Sequence, residues 1–402
     1  MNVTILSPYR KKGEAVTPDV ETTALNFVTE ALAFHLAEDN LSVRVITQRP
    51  DAATASRWYD GNVTVDEVPK SGGPFGFFKL ALTIPRADRV VHLEHELYAF
   101  GGIITAFTVP LAIWALRHRG HAVVTTLHGV IPLEKIDRTF VKSYGVQGSP
   151  MIVRAIWKFL IRGVCLASTI VHVHEDAFAD SLREQYGVRS PIAVVPLGID
   201  PRRQLIEKAD ARRDIGIDPS SDVVCFFGFL YKRKGIVELL KCSRRLVEEN
   251  PRIVLLIAGD LPRRAADAHE IESLITALRD CPQVVFTGFV SDERLPKVLA
   301  AADVMILPYT FSMSSSGPLT LAVSHELPVL LSNRFTRYFP EAPDVFEPDS
   351  DGIRHAIEQY FRDASVRKRL QTFTLRHAEE RRWPLIAKRM RALYERIDPR
   401  KN

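Results

Sequence analysis

Four apolar positions, Leu25, Val28, Leu32 and Leu36, recur at helical spacing within residues 21–38, after a β-branched run, Val3–Leu6, and a polar loop from Ser7 to about Pro18. The same alternation continues along the chain. Compact apolar runs predict strands at Leu41–Thr47, Val63–Val68, Val90–Leu93, Val123–Thr126, Ile170–Val173 and Ile192–Val195, with helical segments between most of them. The pattern breaks at Gly198-Ile199-Asp200-Pro201 and then restarts. A strand at Val223–Phe227 is followed by a helix over 236–249, a strand at Ile253–Ile257 and a helix near 268–279. Further strands fall at Val284–Phe286, Val304–Leu307 and Val329–Leu331. Such alternation favours parallel sheets with helices on both faces, and the break favours two doubly wound α/β domains meeting near residue 200. Ligands of these sheets bind beyond the carboxyl ends of the strands, so the loops there are where chemistry is sought.

Composition narrows the class. A chain of 402 residues with 25% charged and 46% hydrophobic residues is globular in type, not disordered, collagen-like or multi-span. The 53 Lys and Arg exceed the 48 Asp and Glu by only five and are spread, apart from Arg10-Lys11-Lys12 and Lys232-Arg233-Lys234. Bulk charge therefore names no partner, and no nucleic acid is expected. Cys165, Cys225, Cys242 and Cys281 form no C-x-x-C pair and fit reduced core thiols in a cytoplasmic protein. Met1–Pro8 reads as a strand, not a signal peptide. Leu97–Leu116 is uncharged, but Gly101-Gly102 and Pro110 interrupt it, so a buried helix of a soluble domain is expected there instead of a membrane span.

There is no G-x-G-x-x-G after the first strand, no G-x-x-x-x-G-K-[ST] and no G-x-S-x-G. Dinucleotide, P-loop and elbow-serine chemistries lose their support. Other loop signals stand out. Val123-Val124-Thr125-Thr126-Leu127-His128-Gly129 ends a strand on His-Gly, and Ala193–Asp200 reads Ala-Val-Val-Pro-Leu-Gly-Ile-Asp. Phe227-Gly228 is followed by Lys234-Gly235, and Ala302-Asp303 by Pro308, Ser316-Gly317 and Pro328-Val329. In this order, over nearly the whole chain, these segments resemble T-x-H-G, V-I-P-N/H-G-V/I-D, F-G-x-x-x-x-x-K-G and A-D-x-x-x-x-P…P-V of the family 4 retaining glycosyltransferases.

That resemblance implies the GT-B fold, two Rossmann-like doubly wound domains facing a cleft. Residues 1–200 become the acceptor-side domain, 201–382 the nucleotide-sugar-binding domain, and a helix in 383–402 packs back on the first. It implies a metal-independent, retaining hexosyltransferase that needs no cofactor. The enzyme would move a sugar from a UDP- or GDP-sugar to an acceptor hydroxyl in polysaccharide, glycolipid or glycosylated-metabolite synthesis. A nucleotide-sugar 2-epimerase of the same fold and a non-catalytic sugar-nucleotide-binding protein stay open beside it.

The residues suit that reading. Lys234 supplies a point cation for a departing diphosphate, with Arg233 beside it, or is part of a solvated turn. Ser315, Ser316, Gly317 and Leu319 open a helix whose amides and dipole favour phosphate, or form an ordinary cap. By the resemblance, His128 is the catalytic candidate, a neutral imidazole orienting the donor sugar; the alternative is a histidine satisfied by backbone. Gly13 matches the turn near the phosphates, Phe289 and Val290 are nucleobase candidates, and Glu96, in a segment like the family's H-E-x-x-x-F-G-G, is an acceptor-side candidate.

Two departures stand against this pattern. The family's E-x7-E glutamates would fall at Met313 and Leu321, and its arginine after F-G falls at Phe229. Ser316-Gly317-Pro318-Leu319 instead resembles an S-G-x-L variant, whose backbone amides would replace side chains. His92-Leu93-Glu94-His95-Glu96 is rich in metal ligands, but adjacent strand residues face opposite ways and no metal site is expected. Asp349-Ser350-Asp351 reads as a helix start. Residues 151–166 place Arg154, Lys158 and Arg162 four apart opposite apolar bulk. This describes an ordinary docked helix or one in peripheral contact with the inner face of an anionic membrane.

Overall fold

A computed structural model describes residues 1–9, 23–49, 54–69, 73, 75–95, 103–143, 148–199, 206–261, 267–311 and 316–399. The chain divides into two compact units, Met1–Gly198 with Arg381–Asn402, and Ile199–Glu380.

In the first unit the order is β1 (Asn2–Leu6), α1 (Thr23–Glu38), β2 (Ser42–Arg49), β3 (Ser56–Asp60), β4 (Val63–Pro69), α2 (Gly76–Thr83), β5 (Val90–His95) and α3 (Ile103–His118). It continues with β6 (Ala122–Leu127), α4 (Arg138–Ser143), α5 (Pro150–Ala167), β7 (Ile170–Val173), α6 (Asp176–Glu184) and β8 (Ile192–Val194). Among the described residues these strands form one sheet in the order β3-β4-β2-β1-β5-β6-β7-β8. All pair in parallel except β3, which runs antiparallel to β4. Strands β5 and β6 are buried along their whole length, as strands covered on both faces are. The segment Ser56–Asp60 lacks an apolar run. It becomes a strand because the Gly61-Asn62 turn, with Gly61 at φ +56°, folds it onto β4, where Arg57 meets Asp66 at 2.5 Å.

The second unit runs α7 (Lys208–Ile215), β9 (Asp222–Phe227), α8 (Ile236–Glu249), β10 (Ile253–Ala258), α9 (Ala268–Ala277), β11 (Val284–Gly288) and α10 (Leu295–Ala301). After these come β12 (Val304–Leu307), α11 (Gly317–Ser324), β13 (Val329–Leu331), α12 (Ser350–Arg362) and α13 (Ala364–Glu380). Its sheet, in the order β11-β10-β9-β12-β13, is parallel throughout. Val224, Phe226, Leu255 and Ile306 of the sheet pack with Ile236 and Leu240 of α8 and with Ile353 and Ile357 of α12. Asp303 is structural here: its carboxylate accepts from Val223 N and from the Arg212 guanidinium. Asp349 accepts from Gly352 N at 2.7 Å and caps α12.

The last helix, α14 (Trp383–Ile397), belongs to the first unit. Trp383, Ile386, Met390 and Tyr394 enter the core of Ile5, Val45, Val124 and Leu36. Burial of this kind stabilises by about 1.5–3 kcal/mol per large apolar side chain. A Cβ on Gly198 would fall 2.2 Å from the Trp383 ring, so only glycine lets the chain leave the first unit beneath that indole.

The uncharged stretch departs from its expected burial. Leu97–Gly102 lie outside the described residues, and α3 is not buried all round, because Phe107, Leu111 and Trp114 are exposed. Among the described residues no helix is long and apolar enough to cross a membrane.

Candidate functional site

In the second unit the loops after β9, β10 and β12 press together. Gly235, at φ +77°, begins α8, and a Cβ there would sit 1.7 Å from Pro308 O. A side chain is therefore excluded, and Thr310 N donates to Arg233 O at 3.0 Å to tie the two loops. This turn separates the three cations of Lys232-Arg233-Lys234. Lys232 is answered by Glu270 at 2.8 Å, and its amide donates to Asp267. Arg233 lies 4.3 Å from the centroid of the Tyr231 ring. Lys234 is half-buried and, among the described residues, pairs with no acid. Its Nζ lies 2.8 Å from the point where Gly228 would carry a Cβ, and Pro318 Cγ lies 3.4 Å from the same point. The ammonium thus sits beside the first turn of α11. Burial, with Arg233 adding to it, pushes the Lys234 ammonium down to about 8.

That first turn is nearly spent within the protein. Ser316 Oγ accepts from Leu319 N at 3.4 Å and is hydrogen-bonded to the Tyr309 hydroxyl at 3.0 Å. Thr320 N donates to Ser316 O, and Pro318 has no N–H, so these bonds leave the Gly317 amide. Leu319, a donor-binding candidate, has its amide in the cap and its side chain buried. A cation without an acid beside a helix N-terminus of eight residues suits an anion. Phe289 and Val290 follow β11, and Phe289 is 51% exposed, a flat apolar face open to solvent. Gly13, Ser315, Glu96, Met313 and Arg10-Lys11-Lys12 lie outside the described residues.

The first unit holds a polar lattice that the sequence reading passed over. His92 and Glu94 on β5, Thr126 on β6 with His128 just past its end, and His172 on β7 with His174 just past its end stand two residues apart along their strands. Strand register sets Glu94 opposite Thr126 and Thr126 opposite His172. The bonds are close: His128 Nε2 to Glu94 Oε2 at 2.6 Å, His128 Nδ1 to His174 Nε2 at 3.2 Å, and His92 Nε2 to Thr126 Oγ1 at 2.5 Å. Thr126 Oγ1 meets His172 Nδ1 at 2.7 Å, and Tyr394 of α14 reaches His92 Nδ1 at 2.8 Å.

Hydrogen-bond bookkeeping places the protons. Val195 O only accepts, so His172 Nε2 and His174 Nδ1, at 2.9 and 3.2 Å from it, each carry hydrogen. Burial pushes His172 down to about 4 and His174 well below the usual range, with neighbouring histidines adding to it, so both rings are neutral. His172 Nδ1 then accepts from Thr126, and His174 Nε2 accepts from His128 Nδ1–H. Burial raises the Glu94 carboxyl, but His92, His128 and His172 outweigh it and hold the group below the usual carboxylate range. Glu94 is thus ionised and takes the His128 Nε2–H. His128 thus lies between a carboxylate at Nε2 and a neutral imidazole at Nδ1. The sequence carried a signal for this lattice, namely polar residues at period two inside strands that otherwise read as buried. Among the described residues, no three His, Cys, Asp or Glu side chains are grouped as metal ligands.

Residues 25–203 match Glycosyltransferase Family 4, and residues 221–363 match Glycosyl transferases group 1. A 2-deoxystreptamine glucosyltransferase of Streptomyces kanamyceticus is 25% identical over 67% of this chain and 65% of that protein. The chain spans less than two thirds of the length of the first curated relatives it matches. Among solved structures, sucrose-phosphate synthase of Thermosynechococcus elongatus superposes with a TM-score of 0.72 at 17% identity, covering 98% of both chains. Anabaena HepE in complex with UDP and glucose gives 0.67 at 16% identity over 98% of this chain and 99% of that one. Both share the arrangement of two Rossmann-like α/β domains. With a glycosyltransferase domain matched in each half, the chain belongs to the group 1 and family 4 glycosyltransferases.

Proposed function

We propose that this chain is a retaining glycosyltransferase that moves a sugar from a UDP- or GDP-sugar to an acceptor hydroxyl. Its place is in the cytoplasm, in polysaccharide, glycolipid or glycosylated-metabolite synthesis. The observation that carries this reading is Lys234, a half-buried cation that pairs with no acid among the described residues and stands beside the amino end of α11. The HepE structure, titled with UDP and glucose, and the Streptomyces relative, named for glucosyl transfer, support the donor class. Lys234 and the Gly317 amide hold the diphosphate, Arg233 adds charge and Phe289 with Val290 stacks on the base. The bond from the sugar's anomeric carbon to the diphosphate oxygen breaks while a bond to the acceptor oxygen forms on the same face. The acceptor's proton passes to the leaving phosphate oxygen, so no protein nucleophile, metal ion or cofactor enters the scheme. The first unit supplies the acceptor side. His128 engages the donor sugar by exchanging its longer bond, from Nδ1 to His174, for a sugar hydroxyl. Glu94 meanwhile keeps Nε2 in place as a positioning residue. Peripheral contact with an anionic membrane through α5 belongs to the same reading.

The test is release of nucleoside diphosphate from UDP- and GDP-sugars with and without a panel of sugar, lipid-linked and small-molecule hydroxyl acceptors. Acceptor-dependent release supports transfer. Interconversion of sugar nucleotides without acceptor identifies an epimerase. Tight donor binding with no turnover identifies a binding protein.

A further inference from the structure

The layer formed by α2, α3 and α5 exposes more apolar surface than water tolerates cheaply. The three helices lie side by side with their carboxyl ends together: an Arg119 guanidinium donates to Ile84 O at 3.0 Å, and an Arg117 guanidinium donates to Ala167 O at 3.2 Å. A Cβ on Gly163 would lie 3.2 Å from Pro110 Cγ, so α5 and α3 meet closely. Along the outside stand Leu82, Phe107, Leu111, Trp114, Met151 and Phe159, with Trp114 60%, Phe159 68% and Met151 75% exposed. The Phe107 and Phe159 rings lie 6.4 Å apart, which joins the stripes of α3 and α5 into one patch. Contiguous patches of this kind mark interaction sites.

Charge decides between occupants. In a chain where 48 of 402 residues are acidic, α2, α3 and α5 contain no Asp or Glu, yet they hold Lys79, Arg117, Arg154, Lys158 and Arg162. A second copy docked by a two-fold axis would set cations against cations. An anionic bilayer answers both properties at once, apolar rings entering the interface and Lys and Arg reaching its phosphates. We infer that this three-helix face docks the protein on an anionic lipid surface, lying in the interface and not spanning it. The inference rests on the peripheral contact proposed above and extends it from one helix to three.

The experiment is co-sedimentation of the full chain with vesicles of equimolar phosphatidylglycerol and phosphatidylcholine, and with phosphatidylcholine alone. The first vesicles should bind it at least about tenfold more strongly than the second, and about 0.5 M salt should weaken the difference. Trp114→Ser with Phe159→Ser should lower binding at least about tenfold, and Lys79→Glu with Arg162→Glu by a similar factor. Unchanged melting temperature and UDP affinity in the same variants establish that folding and the donor site are intact. A chain that stays in the supernatant with anionic vesicles overturns the inference, as does equal binding by the variants. Concentration-dependent dimerisation that the apolar pair abolishes would assign the face to a second copy instead. None of these readouts depends on turnover, so failure here and failure of the transferase reading are separate results.

Discussion

Both units bring a basic side chain to the carboxyl end of their sheet, and they treat it in opposite ways. In the first unit His128 is enclosed by Glu94 and His174, in a lattice pinned by Thr126, His172 and Tyr394. In the second unit Lys234 is half-buried beside Arg233 and, among the described residues, meets no acid. A buried charge answered internally is part of the fold, and removing its partner costs stability. A charge left unanswered costs stability in the free protein and is repaid when an anion arrives. The comparison separates a side chain already held by a carboxylate from one that meets no acid among the described residues, although the sequence presents both as polar residues in strand-end loops.

The largest effect falls on the first unit. Glu94→Ala leaves His128 without its carboxylate and should lower the free energy of unfolding by about 3–5 kcal/mol in urea denaturation. A loss well under 1 kcal/mol would mean that the fold does not depend on this buried carboxylate. Glu94→Gln keeps the shape and should slow transfer more than it weakens donor binding, with an altered pH profile.

A second prediction concerns pH. Burial pushes His95 and His172 down to about 4, whereas an unfolded histidine takes up its proton near 6.5. The unfolded chain therefore binds more protons between those values. The contribution of these two rings should be level above pH 7 and fall as the pH drops through this window, by about 1.4 kcal/mol per pH unit for each ring. Melting temperatures that are flat from pH 7 to about pH 5 would contradict the neutral rings.

Gly235→Ala is the next test. It forces a side chain onto φ +77° and against Pro308 O, and should destabilise the protein by about 2 kcal/mol or more while also displacing Lys234. The smallest effect is expected at Lys232, whose charge Glu270 already answers. Lys232→Ala should change UDP affinity by less than about threefold, since exposed pairs contribute at most about 1 kcal/mol.

Much of the fold was legible because its strands are short apolar runs and its helices keep the 3.6-residue period. Strand β3 was not, since Ser56-Arg57-Trp58-Tyr59-Asp60 lacks an apolar run and gains its place from pairing with β4 and from Trp58 packing on the core. The exposure of α3 was also hidden, because an uncharged segment looks the same whether its outer stripe faces protein or solvent. At the site, the Lys234 motif could be read, but its separation from Lys232 could not: Asp267 and Glu270 are 35 and 38 residues away from Lys232. At His92–Glu96 the alternation of neighbouring residues argued against a metal site, while the period of two that joins His92 to Glu94 was in plain view. Its closure by Tyr394, 302 residues from His92, is a tertiary fact that no local pattern holds.

The claim at the centre is that the unanswered ammonium of Lys234 is the seat of the donor's diphosphate. Calorimetric titration of UDP and GDP into the wild-type chain and Lys234→Met, with melting temperatures of the free proteins, tests it directly. The account predicts that the variant melts no lower than wild type. It also predicts that the nucleoside diphosphate binding the wild type binds the variant about 10- to 100-fold more weakly, as expected for a lost charge-assisted bond. Wild-type affinity should in turn fall as the pH rises above about 8, where the free ammonium loses its proton. Equal affinity in the two proteins, or no binding of either diphosphate to the wild type, would contradict the account.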